Sequence, residues 1–221
     1  GEAPRTVWFM TSDDHGATWS NPREITAETK KTSWSWYATG PGHAIQLRNG
    51  RILFPCDHDV LFDGDSGPHY HSHVIYSDDG GDSWSIGGIV SLPSNECRVL
   101  ELNDGAIYIN CRTKKDKARR VGAISQDGGQ SFIEEWYHDE LVEPTRYSGG
   151  CEASLVRYDE KMVLFCNPAT TAEERCRLTV RFSKDECRTW SQGRMLCEGI
   201  SAYSDMAVLP DKTILCLYER G

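Results

Sequence analysis

A chain of 221 residues with 38% hydrophobic side chains and 20 glycines is long enough to bury one large core. No apolar run approaches the ~18 residues of a membrane-spanning helix, so a helical span is excluded. The balance of 24 basic against 33 acidic residues, net −9, argues against a nucleic-acid surface, and the local basic run KKDKARR at 114–120 reads as a solvated hairpin tip.

The first element is a hairpin at 11–20, TSDDHGATWS. Its pattern, Ser-x-Asp-x-Gly-x-(Ser/Thr)-(Trp/Phe), returns in YSDDGGDSWS (76–85), SQDGGQSF (125–132) and SKDECRTWS (183–191), the last with Cys187 at the glycine position. The repeated positions are Ser12, Asp14, Gly16 and Trp19; Ser77, Asp79, Gly81 and Trp84; Ser125, Asp127, Gly129 and Phe132; and Ser183, Asp185 and Trp190. The aspartate is expected to bond backbone N–H groups two residues on, glycine to supply positive φ, and the aromatic to plug the turn from beneath. The copies offer one to three carboxylates each and no distal glutamate, so a calcium loop is rejected.

A second repeat alternates with the first. LRNGRILFPC (47–56), LNDGAIYINC (102–111), RYDEKMVLFC (157–166) and LPDKTILCLY (209–218) each set a polar turn before an apolar run, and two carry the Asn-Gly or Asp-Gly hairpin signal. Leu47, Leu102, Tyr158 and Leu209 follow one another at 55, 56 and 51 residues. A period near fifty, made of short strands and tight turns, predicts an all-β fold of β-propeller type with about four blades' worth of chain. The chain opens before a hairpin and stops in a strand, so the expectation is either a small closed ring or a piece of a larger propeller.

Nine cysteines form no C-x-x-C pair, and an odd number cannot all be bridged. Cys56, Cys111, Cys166 and Cys216 occupy equivalent strand positions and read as core thiols, whereas Cys176 and Cys187 are the first candidates for a disulfide across a hairpin. The segment CDHDVLFDGDSGPHYHSH (56–73) reads as a long polar loop with Asp57, Asp59, Asp63, Asp65 and His58. Its alternating His69, His71 and His73 would share one face of a strand, which leaves metal chelation as a minor alternative.

The four hairpins resemble the Asp boxes of the sialidases (neuraminidases). GPGHAIQLRNGRILFP (40–55), NECRVLELNDGAIYINCR (95–112), NPATTAEERCRLTVRFS (167–183) and SAYSDMAVLPDKTILCLYE (201–219) resemble successive segments of that family, and the likeness runs from end to end of the chain. It implies a six-bladed propeller, here a single partial domain over 1–221, that acts as a retaining exo-α-sialidase on sialylated glycans without cofactor or metal. Tyr203 matches the nucleophile, Glu96 its base, and Arg112 and Arg175 two members of the substrate's carboxylate clamp. Arg177 is the rival to Arg175; Arg177 and Arg181 otherwise read as surface arginines. Glu152 competes with Glu96 but matches less of the pattern. The family's first clamp arginine and its acid/base aspartate lie upstream of the first box, so the chain alone is expected to be an inactive fragment. The polar segment 56–73 is then expected over the pocket rim, against the sugar's glycerol tail or N-acyl group. The alternative function is a non-catalytic Asp-box scaffold that binds glycans or proteins.

Overall fold

The computed structural model describes residues 5–60, 69–113, 117–145 and 149–221. It begins with a two-stranded ribbon, β1 (Trp8–Phe9) and β2 (Arg23–Glu24), joined by the first Asp box and followed by one helical turn, α1 (Thr26–Thr29). Three antiparallel sheets come next. The first holds β3 (Trp34–Thr39), β4 (Ile45–Gln46), β5 (Ile52–Val60), β6 (His69–Ser77) and β7 (Ser85–Ile89), in the order β3-β5-β6-β7 with β4 also on β5. The second is β8 (Cys97–Glu101), β9 (Ile107–Cys111), β10 (Arg119–Ser125) and β11 (Glu134–Val142), and the third β12 (Ser154–Asp159), β13 (Met162–Pro168), β14 (Cys176–Ser183) and β15 (Arg194–Val208). The far half of β15 pairs with β16 (Ile214–Arg220). Each sheet is a meander of neighbours in sequence, and this is the blade of a β-propeller.

The two-residue period of a strand decides how blades stack. In β9, Ile107, Ile109 and Cys111 face the first blade and share a core with Leu53 and Val74, while Tyr108, with Ala106 just before the strand, faces the third and packs with Leu155, Phe165 and Trp190. Because both faces of a middle blade are covered, its strands read as nearly unbroken apolar runs. Burial of each such side chain contributes roughly 1.5–3 kcal/mol.

The Asp boxes close the hairpins with bonds of very short range. Ser77 Oγ donates to Asp79 Oδ1 (2.7 Å) and accepts the Gly81 N–H (2.8 Å); Asp79 in turn accepts the Ser83 N–H (2.9 Å) and hydroxyl (2.5 Å). The same set recurs at Asp14, Asp127 and Asp185. The aspartate therefore reaches four residues on, not two, because the serine hydroxyl takes the N–H nearest to it. Trp84 and Trp190 are buried and Phe132 half-buried, but Trp19 is 59% exposed, since its ribbon has only two strands and no sheet covers it. Cys187 occupies the glycine position at φ 67°, buried.

Other expectations are corrected. All nine cysteines are free; Cys176 starts β14 and Cys187 lies in the turn beyond its other end, too far along the strand to pair. Cys56, Cys111 and Cys166 are buried and Cys216 half-buried. The described residues of the segment 56–73 are strand: Asp57, His58 and Asp59 belong to β5 and His69, His71 and His73 to β6. Asp63 and Asp65 lie outside the described residues, as do Lys114, Lys115 and Asp116 of the basic run. His73 is buried with its Nδ1 3.0 Å from that of His58, whereas His71 Nδ1 meets the Val90 carbonyl at 3.0 Å. Among the described residues no three His, Cys, Asp or Glu side chains converge as a metal site. Arg181 is buried, not superficial, because β14 is an inner strand of its blade with that side chain turned inward; Arg177 is exposed.

Candidate active site

The β8–β9 hairpin builds the centre of the site. Its turn, Asn103-Asp104-Gly105, fixes the register Cys97↔Cys111, so Glu96 just before β8 and Arg112 just after β9 emerge side by side. The Arg112 N–H donates to the Glu96 carbonyl at 2.8 Å, and the side chains meet with Arg112 Nη1 2.7 Å from Glu96 Oε2. Sixteen residues of sequence are thus folded into one ion pair.

Tyr203 comes from β15, at an irregularity of the ladder between Ser201 and Ser204. Its hydroxyl donates to Glu96 Oε1 across 107 residues of sequence, and Arg112 Nη1 donates to the same phenol oxygen at 3.4 Å. Burial and the neighbouring Glu96 push the phenol's pKa well above its usual 10, so Tyr203 rests protonated, with its proton directed at a carboxylate. Burial alone would depress the Arg112 guanidinium, but Glu96 more than offsets it and its pKa is raised.

The loop before β12 holds the arginines from behind. Gly149 O accepts from Arg112 Nε (3.0 Å) and Nη2 (2.8 Å), and Gly150 O from Arg175 Nη2 (3.2 Å). Gly150 has φ +65°, and a Cβ there would stand 2.6 Å from Arg112 Cγ, so only glycine fits. Glu143 and Arg120, both fully buried and paired at 2.7 Å, anchor this loop: Glu143 accepts the Cys151 N–H (3.3 Å) and Arg120 donates to the Cys151 carbonyl (2.7 Å). The Arg175 guanidinium carbon lies 5.5 Å from the Tyr203 ring centroid, and Arg175 Nε is buried and unpaired.

In front of the triad opens a cavity of about 470 Å³, lined by Trp36, Ala38, Thr39, Pro41, Asp57, Tyr70, Asn95, Glu96, Arg112 and Tyr203. Arg175 stands against Tyr203 and is not part of that lining. Glu152 is turned away, paired with Arg98 beside a second cavity of about 430 Å³ that shares Tyr203 and Pro41 with the first. In the sequence Asp57 is distinguished only as one carboxylate of the polar segment 56–73. Its carboxylate is 1% exposed and accepts from Trp36 Nε1 (3.1 Å) and Asn95 Nδ2 (2.9 Å). Burial first, and then the Glu96 charge, raise its pKa to about 7. The signal that could have found it is Asp-His-Asp inside a β-branched and aromatic pairing segment, where the apolar pattern breaks before the strand ends.

Fold and site together define a class: an Asp-box β-propeller with a phenol, a carboxylate and guanidinium groups gathered at one end of its inner strands. Residues 1–216 match the BNR repeat-like domain family, and the chain belongs to that family as a member of the sialidases. It is 32% identical to sialidase-2 of Cricetulus griseus over 96% of this chain and 61% of that protein. It is 31% identical to a sialidase of Bacteroides fragilis (strain YCH46), over 95% and 38%, and 32% identical to one of Micromonospora viridifaciens, over 96% and 33%. The chain therefore spans about a third to three-fifths of the length of these relatives. Among solved structures, Hadza microbial sialidase Hz136 superposes with a TM-score of 0.74 at 31% identity, over 91% of this chain and 39% of that one. A leech intramolecular trans-sialidase shares the fold, with a TM-score of 0.78 at 22% identity over 97% and 33%.

Proposed function

We propose that the protein containing these 221 residues is a retaining exo-α-sialidase acting on sialylated glycans. The observation that carries this reading is the convergence of Tyr203, Glu96 and Arg112 on shared hydrogen bonds from strands 91 and 107 residues apart. A scaffold has no need of a protonated phenol aimed at a carboxylate beside a pocket.

Sialic acid carries its carboxylate on the anomeric carbon, so a carboxylate nucleophile would be repelled where a neutral phenol is not. Tyr203 Oη attacks that carbon while Glu96 takes the phenolic proton; the glycosidic C–O bond breaks and the leaving oxygen takes a proton from the acid/base aspartate that the family resemblance places upstream of the first Asp box. Water then attacks the same carbon and gives a proton back to that aspartate, while the tyrosyl oxygen leaves as Glu96 returns the phenolic proton to it. Two inversions give net retention. Arg112 faces the developing charge and, with Arg175, supplies planar, permanently charged donors for the sugar's carboxylate.

The full-length protein, incubated with an aryl α-sialoside and followed by proton NMR, is expected to release the α-anomer first. Initial release of the β-anomer would reject the covalent route, and binding without turnover would favour a glycan-binding scaffold.

A further inference from the structure

Glu152 enters its strand from a loop as Glu96 does, yet its carboxylate serves the backbone. It is buried and meets Arg98, also buried, at 2.8 Å from Nη2 and 2.9 Å from Nε. Both partners then converge on one residue. Glu152 Oε2 accepts the Ser204 N–H at 3.3 Å, and Arg98 Nη2 donates to the Ser204 carbonyl at 3.5 Å. The Ser204 hydroxyl lies 3.1 Å from that of Ser154.

Arg98 is held in turn. Its Nε donates to the Ala153 carbonyl (3.1 Å), its Nη1 meets His43 Nδ1 (2.8 Å) and its Nη2 lies 3.1 Å from Asp205 Oδ1. Gly42 leaves room for it: a Cβ there would stand 2.5 Å from Arg98 Cδ. The Gly-Pro-Gly-His segment thus finds its use as a brace for this arginine.

A buried ion pair is a costly way to fill space, and well-packed apolar side chains of similar volume commonly do as well or better. What an Arg–Glu pair supplies, and an apolar pair cannot, is a donor and an acceptor for the carbonyl and N–H of the same residue. That residue follows Tyr203 directly, where the β15–β16 ladder, irregular between Ser201 and Ser204, resumes with Ser204 opposite Tyr218. We propose that Arg98 and Glu152 are positioning residues that hold the Tyr203 phenol on Glu96 by clamping the Ser204 backbone. The inference rests on the reading of Tyr203 as nucleophile.

The test uses the full-length protein, with Glu152→Gln and the apolar double variant Arg98→Met/Glu152→Leu, an aryl α-sialoside as substrate and free N-acetylneuraminic acid as binding probe. Displacement of a reacting group by about 1 Å costs on the order of 10²-fold in rate. Both variants are expected to lose roughly 10- to 100-fold in kcat, with KM and the affinity for free sialic acid within about threefold of wild type. The double variant, free of an uncompensated buried charge, is expected to melt no lower than Glu152→Gln and still not regain kcat. Wild-type kcat in Glu152→Gln, recovery of kcat together with stability in the double variant, or a loss confined to KM would each overturn the inference. If the wild-type protein does not turn the sialoside over, the underlying functional reading fails and the clamp falls with it.

Discussion

The hairpin turns and the inner strand ends of the blades are both dense in carboxylates and hydrogen bonds, but they are built on opposite plans. In the turns, the repeated aspartate of each box finds its partners within four residues, and the network is repeated and solvent-exposed. At the inner ends, Glu96, Glu143 and Glu152 find arginines 16, 23 and 54 residues away, in surroundings where an uncompensated charge would be costly. The first plan stabilises a hairpin whatever the rest of the chain does. The second is completed only when sheets dock, because Tyr203 on Glu96 and Arg98 on Glu152 each join different blades, so its geometry reports on tertiary packing and can be devoted to chemistry.

If that division holds, changes at the inner ends alter catalysis and changes in the turns alter stability. The largest effect is expected from Glu96→Gln, which removes the acceptor of the Tyr203 proton: kcat of the full-length protein, referred to the folded fraction, should fall ~10²- to 10⁴-fold in steady-state assays. The converse comes from Trp84→Ala. Trp84 is buried beneath its box, and its loss should cost about 3–5 kcal/mol in urea unfolding while the KM of the folded fraction stays constant.

Arg112→Lys keeps the charge but loses the fork. A charge-assisted contact contributes about 1.5–3 kcal/mol, so KM should rise roughly 10- to 100-fold, read from saturation curves. A smaller effect attaches to pH. Asp57, with its pKa raised to about 7, is neutral below that pH and negative above it, next to Glu96 and facing an anionic substrate. KM is therefore expected to climb up to roughly tenfold above pH 7, and Asp57→Asn to flatten that alkaline limb. The turns show the opposite sign. Burial would raise Asp127, but the bonds from Ser131 and Ser125 outweigh it and hold the pKa down to about 2, so its contribution to stability is present above about pH 4 and is lost as pH falls towards 2. Trp19→Ala should change the unfolding free energy by no more than about 0.5 kcal/mol, since Trp19 is exposed.

The same contrast explains what could be read from the chain. The boxes were legible because their chemistry is local: Ser77, Asp79 and Ser83 carry their own instructions in seven residues, and four copies made the period visible. The propeller followed from that period. Tyr203 and Glu96 do not point to each other in the sequence by any spacing rule, and only resemblance to a family paired them. Arg98 and Glu143 lay outside both sources, and Asp57 entered only as one carboxylate of the polar segment 56–73. Nothing within ten residues of Arg98 hints that it is buried, because the partners that neutralise it, Glu152 and Asp205, come from other blades. Arg181 differs from its reading as a surface residue because β14 lies between β13 and β15 with that side chain turned inward, towards Asn167 of β13. The half-exposed Trp19 marks the converse failure, where a local motif is intact but no neighbouring sheet covers it.

The central claim is that the Tyr203 phenol is the nucleophile set up by Glu96. The most direct test is to expose the full-length protein to a 3-fluorinated sialosyl fluoride, which slows hydrolysis of a covalent intermediate, and to map the adduct by peptide mass spectrometry. The account predicts one sialyl adduct per chain, on the peptide containing Tyr203 and absent from Tyr203→Phe. An adduct on Glu96 or Asp57, or turnover with no adduct while Tyr203→Phe retains wild-type kcat, would contradict it.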